Sequence, residues 1–259
     1  MKYKQHEVNL HTHTFYCGHA QGTCEEIVQQ TIKENKLKVL GISEHAPLKD
    51  QDGGKNRMNY CDLQSYTNDV KKVKEETKGL KILLGAECEW LQDQVSFYKE
   101  ELLDQLGYDY LIMGIHFVYD DMGRHYIGKF EGMRRFLSQY VKDYTKGLES
   151  GLFLFGCHPD LFAPGFPVWD ADAKAASWDI IQCAKDLDIP LELNDYGFRK
   201  KPINGRRPYS VDEFWELAAL SGIKICTNSD SHDLNTIYPS HTLEYAKAKG
   251  INFVDWDFT

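Results

Sequence analysis

The chain has 259 residues, of which 42% are hydrophobic and 27% charged, and its formal net charge is −9. This length suits one large domain or two small ones, and the composition is ordinary for a globular protein. The acidic balance disfavours a nucleic-acid surface built on bulk positive charge, but it does not exclude a small anionic substrate, because bound divalent cations would reverse the local field. The first residues lack the apolar core of a signal peptide, no apolar run reaches membrane-spanning length, and seven scattered cysteines favour free thiols. We therefore expect a cytoplasmic protein with no membrane or nucleic-acid partner.

Short apolar runs rich in β-branched residues alternate with longer patterns of helical period, which indicates repeated strand–helix units. The predicted strands span 8–13, 39–44, 82–87, 110–116, 152–158, 190–194 and 224–229. The predicted helices lie near 24–35, 62–77, 94–105, 130–149, 171–187, 211–221 and 240–249. Seven such units in one series predict an α/β fold, a parallel barrel with helices outside it. Because no linker or internal repeat interrupts the series, we expect one domain, residues 1–259.

Helix ends and long loops carry local signals of their own. Thr23, with Glu26 three residues later, predicts a capping box at the start of the first helix. Four glycines lie between a helical pattern and the next strand, where stop signals are expected: Gly79, Gly107, Gly151 and Gly222. The loops at 46–60, 117–129 and 159–170 are rich in Gly, Pro and Asp, and we expect them to overhang a pocket.

The stretch from Val8 to His13 is an apolar run that ends in two histidines one residue apart, and Cys17-Gly18-His19 follows closely. In a strand, residues i and i+2 point to the same face, so His11 and His13 can approach one ion together. A single His-x-His pair is often only two surface histidines. The pair gains weight because other predicted strands end in the same kind of residue.

Polar side chains, nearly all of them histidines or carboxylates, recur at the carboxyl ends of the predicted strands. They are His11, His13, Glu44, His45, Glu87, Glu89, His116, His158, Asp160, Asn194, Asp195, Asp230 and His232. In a parallel barrel all these strand ends open on one face, where active sites are built. Imidazoles with carboxylates suit Zn, Mn or Fe, and the number of potential ligands exceeds what one ion uses. The pattern predicts a multinuclear metal site rather than scattered surface histidines.

The chain resembles the polymerase-and-histidinol-phosphatase (PHP) superfamily and, within it, the monofunctional histidinol-phosphate phosphatases. The matching segments, in family order, are His11-Thr-His13, Cys17-Gly-His19, Ser43-Glu-His45, Gly85-Ala-Glu87, Gly-Ile-His116, Cys-His158-Pro-Asp160, Asn194 through Arg199 and Ser-Asp230-Ser-His232. The resemblance implies a distorted (β/α)7 barrel that holds three divalent metal ions (Zn, Mn or Fe). The implied ligands are His11, His13, Glu87 and Asp230 for the first ion, Glu87 as a bridge with His116 and His158 for the second, and His19, His45 and His232 for the third.

This metal arrangement suits phosphoester hydrolysis, because a water that bridges two cations loses its proton readily and clustered cations clamp the phosphoryl group. Asp160 is the candidate general acid for the leaving alkoxide; a helix N-cap or a partner of a metal-bound histidine is the alternative. Arg199 matches a phosphate-binding arginine of the resembled phosphatases, with a solvated loop charge as the alternative. Asn194 is expected to contact substrate or phosphate in the same segment. For Arg206 and Arg207 the solvated alternative is favoured slightly.

The predicted reaction is hydrolysis of L-histidinol phosphate to L-histidinol and phosphate, whose ammonium and imidazole must be seated beyond the metal site. Candidate rim residues for these groups are Glu44, Glu89, Asp120, Asp121, Phe15, Tyr16 and Phe117, although for Glu89 solvation of the rim is preferred over substrate contact. The segments 113–119 and 120–125 depart from the phosphatase pattern, so a nucleotide, a sugar phosphate or phosphotyrosine stays open as substrate. A non-catalytic metal-binding protein is the third alternative, which the intact ligand set disfavours. No role is assigned to His6, His125 or His241, and Cys17 is left as a thiol within reach of the third ion.

Overall fold

A computed structural model describes residues 1–49, 55–129, 133–202 and 207–258. The chain divides into two compact units. The first comprises Met1–Ile112, Asn228–Ser240 and Asp255–Thr259, and the second comprises Met113–Thr227 and His241–Val254. Within the described ranges, no helix combines the length and the apolar character that a membrane span requires. The single domain of residues 1–259 stays a prediction.

Strands and helices alternate along the chain largely as the hydrophobic pattern predicts. The strands are β1 (Lys2–Tyr3), β2 (Val8–Asn9), β3 (Val39–His45), β4 (Lys81–Cys88), β5 (Tyr110–Met113), β6 (Phe117–Asp120), β7 (Gly123–Tyr126), β8 (Leu191–Asn194), β9 (Ile225–Asn228) and β10 (Trp256–Asp257). The α-helices are α1 (Cys24–Glu34), α2 (Leu63–Glu76), α3 (Leu137–Glu149), α4 (Ala171–Asp186), α5 (Asp195–Arg199), α6 (Asp212–Ser221) and α7 (Ser240–Lys249).

The predicted helix boundaries follow from local chemistry. Thr23 and Glu26 form the reciprocal capping box at the start of α1, as predicted. The four predicted stop glycines all have positive φ, between 68° and 84°, which side-chain-bearing residues rarely adopt. The predicted helix 94–105 is instead a π-helix, Phe97–Gln105, preceded by a 3₁₀ turn, Gln92–Gln94. The predicted start of the helix at 130–149 lies outside the described residues.

The first unit contains a parallel sheet in the order β2-β3-β4-β5, and the register places His45 of β3 opposite Glu87 of β4. Thr12, beyond the end of β2, forms a parallel bridge with Ser231. Tyr66 of α2 is fully buried behind this sheet, and its hydroxyl lies 2.9 Å from the carbonyl oxygens of Ile42 and Gly85. Through Tyr66, α2 therefore contacts β3 and β4 close to the carboxyl ends of both strands.

In the second unit, β8 and β9 form a two-stranded sheet, and Gly156 makes parallel bridges to Met113 and to Leu191. The predicted strand 152–158 is thus reduced to a single bridged residue. A Cβ on Gly156 would collide with the Tyr144 hydroxyl, and His158 has a φ of +30°, which ends the extended backbone two residues later. The predicted loop 117–129 contains an unpredicted hairpin of β6 and β7, which Gly123 closes with a φ of +113°.

An ion pair buried in the first unit holds the end of β4. Arg57 Nη2 lies 2.8 Å from Glu89 Oε1, Arg57 Nη1 donates to the carbonyl oxygen of Ala46 at 2.7 Å, and both side chains are at most 3% exposed. Removal of one partner of such a pair leaves a buried charge uncompensated.

We expect the substitution Arg57→Met to lower the free energy of unfolding by about 3–5 kcal/mol, because Glu89 would remain buried without its cation. In a thermal melt this corresponds to a fall in Tm of roughly 6–20 °C for a chain of this size. The double substitution Arg57→Met with Glu89→Met should restore much of the loss, because it removes both charges. A Tm within roughly 2 °C of the wild type (about 1 kcal/mol or less) for Arg57→Met would contradict the structural role of the pair.

Candidate metal centre

Seven predicted ligands lie together in the first unit: His11, His13, His19, His45, Glu87, Asp230 and His232. His19 is exposed and His232 half-buried, whereas the other five are buried. Buried imidazoles and carboxylates in such number are costly unless they are paired or coordinate a cation. This cluster is hereafter called the His/Glu cluster.

Local backbone structure explains how these side chains converge. The extended backbone around Thr12 is hydrogen bonded on both sides, since Thr12 O accepts from Ser43 N and His13 N donates to Ser231 O. His11 and His13 therefore face the same side, as their spacing predicts. Gly18 sits in the left-handed region, with a φ of 76°, and a Cβ there would lie 2.8 Å from the Lys55 carbonyl oxygen. This tight turn brings His19 back to the cluster.

The first predicted ligand set has distances that suit a shared cation. His11 Nε2 lies 3.1 Å from His13 Nε2 and 3.4 Å from Glu87 Oε2, while His13 Nε2 lies 3.2 Å from Asp230 Oδ1. Two ligand atoms about 2.1 Å from one tetrahedral ion are about 3.4 Å apart, so these separations fit.

The third predicted set, His19, His45 and His232, offers ring nitrogens that all lie within 4.8 Å of one another. The His13 ring is stacked against both His45 and His232, with ring centroids 4.2 and 4.3 Å apart. Glu87 Oε2 lies 2.8 Å from His45 Nδ1 as well as near His11. The carboxylate of Glu87 thus lies between the two sets, and the donor chemistry of both fits Zn, Mn or Fe.

Glu44 orients His13 from the side away from the cluster. Its Oε1 lies 3.2 Å from His13 Nδ1, and its Oε2 accepts from the backbone N–H and the hydroxyl of Thr14. A carboxylate on the second nitrogen fixes the tautomer of a metal-binding histidine. Burial acts to raise the pKa of Glu44, but the bonds from His13 and Thr14 outweigh it and the pKa is lowered. The prediction of Glu44 as a rim residue is therefore wrong, because it is buried and fully engaged.

Protonation of the cluster is set by burial and by neighbouring charges. Burial lowers the pKa of His13, but the carboxylates of Asp230 and Glu44 outweigh this effect and raise the pKa to about 9. Burial and the nearby His13 lower the pKa of His232 to about 3. Because metal ligands must be deprotonated, cation binding here competes with protonation of His13. Burial also raises the pKa of the Cys17 thiol, which disfavours the thiolate that a metal would need.

The second unit brings His116 and His158 together, with ring centroids 4.8 Å apart. The backbone N–H of His158 lies 3.3 Å from Glu192 Oε2, and that oxygen also accepts from Asn194 Nδ2 at 2.8 Å. The other end of the Asn194 amide, Oδ1, caps α5 by accepting from the Gly197 N–H. Glu192 was not predicted, since it lies within an apolar run. The metal-binding roles of His116 and His158 stay predictions.

Asp160 is fully buried in the second unit. Its Oδ2 accepts from the backbone N–H of Val211 at 2.8 Å and from the indole of Trp215 at 3.2 Å, whereas Oδ1 has no hydrogen-bond partner among the described residues. Burial outweighs these bonds and raises the pKa of Asp160 to about 6. The carboxylate thus bonds the residue before α6 and a side chain of α6 itself. Its role as general acid stays a prediction.

Arg199 ends the short helix α5, and its Nη1 lies 2.6 Å from Asp195 Oδ2. Its guanidinium carbon also lies 5.4 Å from the centre of the Tyr196 ring. Arg207 pairs with Glu213 at 2.7 Å, while Arg206 lies outside the described residues. Phosphate binding by Arg199 and Asn194 stays a prediction.

Several predicted rim residues differ from expectation. The interpretation of Glu89 as a rim carboxylate is wrong, because the buried pair with Arg57 occupies it. Asp120 lies on the hairpin and pairs with His125 at 2.7 Å, and the guanidinium carbon of Arg124 lies 4.4 Å from the centre of the Phe117 ring. Substrate contacts for Asp120, Asp121, Phe15, Tyr16 and Phe117 stay predictions. None of the seven cysteines forms a disulfide, as predicted.

Comparison with known proteins identifies the class that this fold and cluster define. The family model described as "PHP domain" matches residues 9–196, and the chain belongs to the PHP family. A Deinococcus radiodurans protein named probable histidinol-phosphatase is 28% identical over 231 residues, which cover 86% of this chain and 85% of that protein.

Two solved structures share the fold. A candidate histidinol phosphatase of Listeria monocytogenes matches with a TM-score of 0.74 and 22% identity over 91% of this chain and 98% of its own. A Lactococcus lactis histidinol phosphate phosphatase, solved with Zn, L-histidinol and phosphate, matches with a TM-score of 0.70 and 17% identity over 96% and 95%. These similarities confirm the predicted PHP-type α/β fold.

Proposed function

We propose that this chain is a metal-dependent phosphomonoesterase that hydrolyses L-histidinol phosphate to L-histidinol and inorganic phosphate. The observation that carries the proposal is the His/Glu cluster, in which Glu87 Oε2 lies within 3.5 Å of ring nitrogens of His11, His13 and His45. Membership of the PHP family, the name of the Deinococcus relative and the contents of the Lactococcus structure support the substrate. Three metal ions per chain, with the ligands assigned above, are part of the proposal.

Bound cations would supply charge neutralisation of the phosphoryl oxygens and an activated water at neutral pH. The chain's own residues hold and orient the reactants. Glu44 fixes the His13 ring so that Nε2 faces the cluster. Arg199 contributes paired N–H donors to phosphate, and Asp160 holds the proton that the leaving alkoxide of histidinol requires. Cytoplasmic localisation and a small-molecule partner remain parts of the proposal.

The substrate assignment is tested with a panel of phosphomonoesters that contains histidinol phosphate, a nucleotide, a sugar phosphate and phosphotyrosine, each assayed with Zn, Mn and Fe. We expect kcat/KM for histidinol phosphate to exceed the others by at least about a hundredfold, because a site that seats the ammonium and the imidazole loses those contacts with other alcohols. Equal values would overturn the substrate and leave a phosphomonoesterase of another specificity. No turnover of any ester in metal-replete protein would favour the non-catalytic alternative.

We expect Arg199→Ala to weaken binding of the phosphomonoester by roughly 1.5–3 kcal/mol, which lowers kcat/KM about 10- to 150-fold, because a charge-assisted contact to phosphate is lost. Metal content measured by elemental analysis should stay at the wild-type value. Arg207→Ala is the matched control, because Arg207 lies in the same segment but pairs with Glu213. If both variants kept the wild-type kcat/KM, Arg199 would serve only its ion pair with Asp195 and not bind phosphate.

A further inference from the structure

Asp195 is a buried anion at the start of α5, with 1% of its side chain exposed, and its two oxygens serve different partners. Oδ2 lies 2.6 Å from Arg199 Nη1 and 3.2 Å from His241 Nδ1. Oδ1 accepts from the backbone N–H of Thr242 at 2.8 Å and from its hydroxyl at 3.1 Å. Oδ1 thus bonds Thr242 of α7, which is called the scaffold side below, and Oδ2 faces Arg199.

We propose that Asp195 is a positioning residue that holds the Arg199 guanidinium in the orientation used to bind phosphate. The inference rests on the proposed phosphate-binding role of Arg199. It assigns to Asp195 a task in substrate binding without contact to the substrate.

The scaffold side makes Asp195 a fixed reference point. Thr242 lies in the first turn of α7, and its hydroxyl accepts from the hydroxyl of Thr227 in β9. The Thr227 oxygen also lies 2.6 Å from the carbonyl oxygen of Leu193. The carboxylate is therefore held by an element distant in sequence from α5. A cation bonded to such a fixed group has fewer rotamers to lose when it binds a ligand.

The Arg199 side is arranged for orientation and not only for charge compensation. Asp195 and Arg199 are four residues apart on α5, the spacing at which helical side chains meet. The guanidinium carbon also lies 5.4 Å from the centre of the Tyr196 ring, within cation–π range. Arg199 keeps 15% of its side chain exposed, whereas Asp195 is closed off from solvent. The cation is thus accessible to a ligand in solution, whereas the anion is not.

The decisive variant is Asp195→Asn, which keeps an oxygen for Thr242 but removes the negative charge that faces Arg199. We expect KM for the phosphomonoester and the inhibition constant of inorganic phosphate to rise together roughly three- to tenfold, with kcat changed less than about twofold, because only preorganisation is lost. The further substitution Arg199→Ala should cost less when Asp195→Asn is already present than it does in the wild type.

Thr242→Val is the matched control, since it removes a hydroxyl from the scaffold side of the same carboxylate. It should lower Tm but raise KM and the inhibition constant of phosphate much less than Asp195→Asn does, because the Thr242 N–H still holds the carboxylate and its charge still faces Arg199. The inference is overturned if Asp195→Asn leaves KM and the inhibition constant of phosphate at the wild-type values, or if its effect adds fully to that of Arg199→Ala. It is also overturned if Thr242→Val raises these two constants as much as Asp195→Asn does.

The same measurements separate this inference from the proposed substrate. If the wild type prefers another phosphomonoester, the histidinol phosphate assignment fails, and the Asp195 effect is read with the preferred ester and inorganic phosphate. If wild-type protein neither hydrolyses an ester nor binds inorganic phosphate in calorimetry, both are overturned.

Discussion

Replacement of Glu87 by glutamine is expected to cause the loss of two metal ions together. It should also lower kcat/KM at least about a thousandfold, equivalent to roughly 4 kcal/mol of transition-state stabilisation. The reason is the proposed ligand assignment, in which Glu87 belongs to the first ion and bridges to the second. Glu87 Oε2 is also central in the His/Glu cluster, 3.4 Å from His11 Nε2 and 2.8 Å from His45 Nδ1. Elemental analysis of protein prepared without chelator should give about three equivalents for the wild type and about one for the variant.

Glu89→Gln provides the matched control, because Glu89 lies two residues further along but is engaged by Arg57. That variant should lose stability and keep its metal. Loss of a single ion from Glu87→Gln would show that the carboxylate does not bridge. At most one equivalent in metal-replete wild-type protein would refute the trinuclear site.

The substitution Asp160→Asn is expected to lower kcat for histidinol phosphate by about 10²–10⁴, yet to lower kcat for an aryl phosphate such as 4-nitrophenyl phosphate by less than about tenfold. An alkoxide needs a proton as it leaves, whereas a nitrophenolate does not. Asparagine preserves an acceptor for the Val211 N–H and the Trp215 indole, so the fold around the side chain is retained.

Trp215→Phe distinguishes acid catalysis from a structural tie. It removes one of the two donors to Asp160 Oδ2 and leaves the carboxylate in place. If Asp160 is the acid, Trp215→Phe should not reproduce the selective loss on the alkyl ester. Equal losses on both esters in Asp160→Asn would show that the residue only joins its loop to α6.

The elements of this fold were predictable where the signal is local. The Thr23–Glu26 box and the glycines after helices act within one turn of chain, and the structure has them as expected. The predicted strand at 152–158 is reduced to the bridges of Gly156, and no pattern within it reveals the positive φ by which His158 leaves the extended backbone. The β6–β7 hairpin was missed because its strands of four residues are too short for a clear alternation.

The ligand set was more predictable than the residues that support it. The i, i+2 spacing of His11 and His13 and their place at a strand end are readable directly. The prediction of Glu89 as a rim residue was wrong, because its partner Arg57 comes from a loop 32 residues earlier. Glu44 was misjudged for a similar reason, since its contact with His13 crosses between neighbouring segments. The Asp195–Arg199 pair has helical spacing, but α5 was not among the predicted helices.

The hairpin of β6 and β7 begins immediately after His116 and ends before Ile127. The N–H of Ile127 donates to the His116 carbonyl oxygen at 2.8 Å. This bond closes the base, while the tip carries Met122 with 84% of its surface exposed. Insertions or substitutions between Asp120 and Gly123 can therefore be accommodated without displacement of His116. Sequence changes at the tip can then accumulate among descendants of this gene, while the backbone position of His116 is kept.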